Sequence, residues 1–105
     1  MITAKVIKHN GNYQSFSCEG HALFDDAGKD IICSAVSVLV INTANSLDTL
    51  TDNKFNASDD GHIRWEFLNT PDDKGILLMD SLVLGLREIE RKYGSYYLRL
   101  MIEEV

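Results

Sequence analysis

The chain has 105 residues, which is the length of one ordinary domain and enough to enclose one hydrophobic core. Its 16 acidic residues outnumber its 10 lysines and arginines, and the formal net charge is −6 at pH 7. This balance argues against a nucleic-acid backbone as the main partner, because phosphate contacts need clustered basic side chains. It favours a basic or neutral partner. We therefore expect a single domain, residues 1–105, without direct nucleic-acid binding.

The sequence also predicts where the protein works. Its first ten residues alternate and contain two lysines, unlike the apolar run of a signal peptide. The apolar run 36–41 is followed at once by polar residues, so we expect no membrane-spanning segment. Cys18 and Cys33 form neither a C-x-x-C pair nor a zinc set. We expect both to be reduced thiols in a cytoplasmic protein.

Hydrophobic periodicity predicts seven elements in the order ββαββαβ. In chain order they are strands at 2–8 and 13–19, a helix at 31–50, strands from 55 and at 63–67, a helix opening at 70–73 and ending before Gly94, and a strand at 96–103 that buries Leu98, Leu100 and Ile102. Turn residues at 10–12 and 59–61 join the strands into two hairpins. We expect an α+β fold, with one five-stranded sheet and two long helices packed on it.

The two helices carry different end and packing signals. The first is apolar over most of its circumference, so we expect it to be buried on more than one side. Asp30 stands at its N-cap position. The second opens on Thr70-Pro71-Asp72-Asp73, which predicts a cap, a proline in the first turn and acids facing the helix dipole. Gly94 is the predicted end of that helix.

The segment between the second strand and the first helix contains the residue types of thiol catalysis. His21 follows the strand end, and Cys33 occupies the third position of the helix. Free N–H groups and the positive end of the helix dipole stabilise a thiolate there. A histidine within reach can pair with the thiolate and later protonate a leaving amine. The same N–H groups are candidate donors to the oxyanion of a tetrahedral intermediate.

Cys33 also permits two interpretations without peptide cleavage. A lone cysteine on an apolar helix is most often a small buried hydrophobic residue, and a cysteine with a distant histidine is a weak pattern. Cys18 shares a strand face with Phe16 and fits that structural role. A thiol redox sensor is the other alternative, but the sequence offers Cys33 no neighbouring cysteine to resolve an oxidised sulfur.

Residues around the cysteine and histidine have two interpretations each. Asp30 either caps the helix only or also orients His21. Ser37 lies one turn beyond Cys33 and bonds either the catalytic pair or its own helix. Gly20 provides either a left-handed turn or a close backbone approach. In the loop 22–29, Phe24 either covers an apolar substrate segment or packs on the sheet.

The motif G-H-A at 20–22, followed by G-x-D-I-x-C-S-A-V-S-V-L from residue 28, resembles the ribosomal-processing cysteine protease family, often called Prp. The interval between histidine and cysteine, the chain length and the element order are also similar across nearly the whole chain. The resemblance implies that the catalytic histidine and cysteine are His21 and Cys33. It implies that the supporting residues of the motif are Gly20, Asp30 and Ser37.

The resemblance further implies an endopeptidase that removes a short N-terminal extension from a bacterial large-subunit ribosomal protein precursor. It also implies that the enzyme cleaves after an aromatic residue in an apolar stretch, that it is a homodimer, and that it needs no metal or organic cofactor. Ile76, Leu77 and Leu84 lie off the inner stripe of the second helix, as either a dimer contact or part of a wide sheet-facing stripe. The alternative function is a non-catalytic, ribosome-associated binding module in which Cys33 is structural.

Overall fold

Seven elements follow one another in the order that the sequence predicts. The structure is a computed structural model that describes residues 1–23, 25 and 30–105. Its elements are β1 Ile2–His9, β2 Asn12–Gly20, α1 Ile31–Leu50, β3 Phe55–Asp59, β4 Ile63–Phe67, α2 Asp73–Tyr93 and β5 Leu98–Glu104. The predicted α+β class, the five-stranded sheet and the two long helices are confirmed.

The five strands form one sheet in the order β3-β4-β2-β1-β5. Neighbouring strands are antiparallel, except for the parallel pair β1 and β5. Successive side chains of a strand point to opposite faces, so alternate residues face the helices. One cross-strand row on that face runs through Val6, Phe16 and Trp65, all at most 2% exposed. The core therefore lies between one face of the sheet and the two helices.

Helix α1 packs through one stripe only, so the expectation of burial on several sides is wrong. The stripe that faces the core consists of Ile32, Val36, Val40, Thr43 and Leu47. On the outer side Ile31 is 54% exposed, Val38 67% and Ile41 46%. An apolar pattern gives the width of the apolar surface but does not identify what covers it. By length and composition α1 would also suffice to cross a membrane, but its buried stripe forms part of the core.

Two further expectations are corrected at the ends of elements. Asp72 is the N-cap of α2 and its carboxylate accepts a hydrogen bond from Gly75 N at 2.9 Å, so Pro71 precedes the helix and does not lie in its first turn. Ile102, on the edge strand β5, is 39% exposed, so the prediction that it is buried is wrong. The predicted stop of α2 at Gly94 is confirmed, with a positive φ of 101°.

Candidate active site

The end of β2 and the first two turns of α1 form a cleft of about 190 Å³. Four of the residues predicted to act together line it, namely Gly20, His21, Cys33 and Ser37. The remaining walls come from β1, from β2, from the middle of α1 and from the β3–β4 hairpin. We call this cavity the catalytic cleft.

Asp30 fixes the start of α1 and with it the position of Cys33. Its side chain is almost fully buried, at 7% exposed, and one carboxylate oxygen accepts hydrogen bonds from Ile32 N and Cys33 N, both at 3.0 Å. Asp30 is therefore the predicted N-cap. These two amides are already bonded, so the expectation that the free N–H groups of the first turn hold an oxyanion is wrong for them.

The sulfur of Cys33 has a backbone partner outside its own helix. The amide of Ala22 donates to Cys33 Sγ at 3.3 Å, and Ala22 itself is 1% exposed. This contact ties the sulfur to the main chain that follows β2. No residue type in the sequence indicates this donor, because it is a main-chain group in an irregular segment.

Gly20 meets both of the requirements considered for it. Its φ is +93°, a conformation that side-chain-bearing residues rarely adopt. A Cβ atom at this position would lie 2.3 Å from the carbonyl oxygen of Met1. A glycine is thus needed where the chain leaves β2, directly before His21.

His21 and Ser37 lie at the open side of the catalytic cleft. Both residues are exposed, whereas Cys33, which lines the same cleft, is half-buried. Ser37 follows Cys33 by one helical turn, on the same face of α1. The structure thus brings histidine, cysteine and serine to one cavity, with the sulfur bonded to the Ala22 amide in this state.

Cys18 lines the same cleft as Cys33, which the spacing of the two cysteines did not indicate. Burial, followed by the nearby Cys33 and Glu19, raises the pKa of the Cys18 thiol to about 11. Low dielectric disfavours the charged thiolate. Cys18 is therefore a neutral thiol across the physiological range, as expected of a structural residue.

Sequence reasoning missed the wall opposite α1. It consists of Asp59, Gly61 and Ile63 from the β3–β4 hairpin, which reaches the cleft because β4 pairs with β2. The pattern of the chain predicts hairpins but not the order of hairpins in a sheet. Within the described ranges no group of three or more potential metal ligands occurs. The interpretations of Phe24 and most of the loop 22–29 lie outside the described residues.

Comparison with known proteins gives a consistent result. Residues 1–98 match the model of the family named cysteine protease Prp. The ribosomal processing cysteine protease Prp of Bacillus subtilis (strain 168) is 30% identical over 103 residues, covering 89% of this chain and 90% of the relative. The protein of the same name from Staphylococcus aureus (strain NCTC 8325 / PS 47) is 27% identical over 99 residues, covering 90% and 93%.

Two solved structures share the fold across almost the whole chain. The essential ribosomal processing protease Prp from S. aureus, in complex with a covalently linked product peptide, superposes with a TM-score of 0.91 at 26% identity, covering 98% of this chain and 100% of the other. The same protease in complex with a substrate peptide gives a TM-score of 0.85 at 25% identity and the same coverage.

Proposed function

This chain belongs to the cysteine protease Prp family, and from that premise we propose that it removes a short N-terminal extension from a bacterial large-subunit ribosomal protein. Cys33 is the nucleophile and His21 the general base and acid. The observation that carries the assignment is the shared cleft: Cys33, capped and oriented by Asp30, faces the same cavity as His21. Gly20 and Ser37 support the pair from the two elements that meet there.

The reaction has an acylation step and a deacylation step. The Cys33 thiolate attacks the scissile carbonyl carbon, and the tetrahedral intermediate collapses as the C–N bond breaks. The His21 imidazolium gives its proton to the leaving amine, which departs as the mature protein. His21 then removes a proton from water, whose oxygen attacks the thioester and displaces the thiolate. No metal or organic cofactor is needed to balance these steps.

The Ala22 amide has two successive uses in this scheme. In the free enzyme it donates a hydrogen bond to Cys33 Sγ. A thioester sulfur is a much weaker acceptor, so during attack the N–H is released to the developing oxyanion of the substrate. Because Asp30 already holds the amides of Ile32 and Cys33, we assign the oxyanion donor to the Ala22 side of the cleft.

The charge of the cleft suits a basic ribosomal protein. Glu19 and Asp59 line the cavity, and the chain as a whole carries −6. Acidic walls raise the local concentration of a basic substrate and speed its encounter. Cys18 and Cys33 are both free thiols, which agrees with a site of action in the reducing cytoplasm, where ribosomal proteins are made.

The proposal includes a homodimer, supported by apolar surface on both helices. Val38 on α1 is 67% exposed, and Leu77 and Leu84 on α2 are 69% and 66% exposed. Apolar side chains so exposed on one layer are typical of a surface that another chain covers.

Light scattering at high micromolar concentration should give twice the monomer mass. Val38→Glu should give a monomer, and Asn56→Glu, on β3, should not; a monomeric native protein would refute the homodimer.

The function is tested with the purified protein and an unprocessed ribosomal protein that carries an N-terminal extension. Mass spectrometry should show one cut that releases the extension, and Cys33→Ala should leave the precursor intact. An uncut precursor with the native protein would refute the proposed substrate. Cleavage by a well-folded Cys33→Ala protein would refute the assigned nucleophile, and binding without cleavage would favour the alternative of a non-catalytic module.

A further inference from the structure

A second cavity of about 260 Å³ lies along α1, between that helix and the β3–β4 hairpin. We call it the Trp65 slot and define it by Ile41, Ala44 and Asn45 on α1 and by Ala57 and Trp65 on the hairpin. The proposed chemistry at Cys33 does not use any of these five residues.

The slot continues the catalytic cleft. Asp59 and Ile63 line both cavities. On the sheet, Cys18 is paired with Ile63. The pair Phe16 and Trp65 lies two residues away from it on both strands. Residues two apart on a strand share a face, so the floor of the cleft and the floor of the slot are adjacent rows of one surface.

The helix side shows the same continuity. Cys33, Ser37 and Ile41 are spaced four residues apart, and such residues lie one above another on a helix face. Ile41 is eight residue steps along the helix from Cys33, which corresponds to about 12 Å of helix axis. An extended peptide covers that distance in about three to four residues.

The slot is shaped to admit a large side chain. On β3 the slot is lined by Ala57, Ser58 and Asp59, and Ala57 is exposed and directly opposite Trp65 in the strand register. Trp65 forms the floor and is 2% exposed, while Ile41 at the rim is 46% exposed. Indole and aliphatic surfaces bind apolar and aromatic groups, with offset or edge-to-face contacts for aromatic rings.

We propose that the Trp65 slot is a specificity subsite, which takes an apolar or aromatic side chain of the peptide substrate about three to four residues from the scissile bond. The inference rests on the proposed peptidase function and assigns a binding role that the chemistry does not require. The occupant is the substrate itself, because the slot opens into the cleft where the peptide bond is cut.

The test fills the slot and asks whether specificity changes. Ala57→Leu places a larger side chain over Trp65. Asn56→Leu is the matched control, because residue 56 precedes residue 57 on the same strand and its side chain therefore points to the opposite face of the sheet. Each protein is assayed on peptides that carry Leu, Phe or Ala at the third and fourth positions on either side of the scissile bond. The native protein and Asn56→Leu should prefer the large residue at one position by roughly tenfold or more in kcat/KM.

Ala57→Leu should lose that preference, so that its kcat/KM values for the large-residue and Ala peptides differ by less than about threefold. An unchanged preference in Ala57→Leu, or no preference in the native protein, would overturn the proposal. If the native protein cleaves none of the peptides, the proposed function fails. Peptide binding, measured by Trp65 fluorescence, then tests the slot by itself.

Binding has its own readout, because Trp65 is the one tryptophan of the chain. In a Cys33→Ala background, titration with the preferred peptide should change the emission of Trp65. The Ala peptide, or the preferred peptide added to a Cys33→Ala, Ala57→Leu protein, should change it at least tenfold less at equal concentration. Equal responses to both peptides would overturn the proposal. An emission that changes with protein concentration alone would also overturn it, in favour of a second copy as the occupant.

Discussion

The backbone amide of Ala22 donates a hydrogen bond to the sulfur of Cys33 across 3.3 Å. This contact joins the segment that follows β2 to the first turn of α1, so the position of the nucleophile depends on the path of the main chain after Gly20. A displaced Ala22 would remove the one donor that holds the sulfur from outside its own helix among the hydrogen bonds described above. We therefore expect the reactivity of Cys33 to report on the order of the whole junction.

The two cysteines should react at very different rates. Limiting iodoacetamide near pH 6.5 should alkylate Cys33 well before Cys18, because alkylation follows thiolate fraction and access. Burial raises the pKa of Cys18 to about 11, so its thiolate becomes abundant only as the pH rises toward that value. Peptide mapping after short exposure gives the two rates. Equal labelling at pH 6.5 would mean that Cys33 is a packing residue.

Removing the histidine should damage both catalysis and thiol reactivity. His21→Ala should lower kcat/KM by roughly two to four orders of magnitude, because both proton transfers lose their agent. It should also slow alkylation of Cys33 near pH 6.5, with less effect at higher pH, where hydroxide forms the thiolate. The exposed His9 is the matched control, and His9→Ala should leave both rates unchanged. Normal single-turnover cleavage by His21→Ala at neutral pH would assign the base elsewhere.

Two substitutions of Asp30 separate capping from catalysis. Asp30→Ala removes the acceptor of two amide bonds at the start of α1 and should lower the free energy of unfolding by about 1 kcal/mol or more. Asp30→Asn keeps a capping oxygen and should restore most of that stability, as measured by urea unfolding. If the aspartate acts only as a cap, Asp30→Asn should also restore cleavage. A stable but inactive Asp30→Asn protein would show that the carboxylate charge acts on His21.

Two glycines at positive φ provide a matched pair for testing the junction. Gly20→Ala adds a Cβ atom 2.3 Å from Met1 O, in addition to the strain of φ +93°, whereas Gly11→Ala at φ +78° meets nothing within 4 Å. Gly11→Ala should cost roughly 1–2 kcal/mol from strain alone. Gly20→Ala should cost more and also reduce cleavage, because His21 must move. Equal losses of stability for the two variants would contradict the close approach at Gly20.

Local patterns in the sequence predicted the features that depend on local chemistry. Asp30 is followed by the apolar periodicity of α1, and that signal places both the cap and the third helical position of Cys33. The hairpins follow from alternation and turn residues. The pairing of His21 with Cys33 as a catalytic unit came from the family motif, because spacing alone favours a structural cysteine.

Features that depend on distant parts of the chain were not predictable in this way. Asp59 and Ile63 reach the cleft only because β4 pairs with β2, and periodicity does not specify strand order. The donor at Ala22 is a main-chain group, which any residue type except proline provides. The exposed side of α1 was misjudged for a related reason: an apolar residue such as Val38 indicates that something covers it, but not whether that is this chain or another.

The parallel pairing of β1 with β5 has a consequence for how the protein is made. Ile2 lies beside Leu98, and Ile2 N donates to Tyr97 O at 2.8 Å, so strands from opposite ends of the chain are neighbours. Contacts between such distant segments form late and slow folding, because closing the long loop between them costs conformational entropy before the contacts can stabilise the fold. Ile2 also lines the catalytic cleft. A nascent chain that lacks residues 98–104 therefore has an incomplete cleft, and proteolytic activity should appear only after the last strand has emerged and docked.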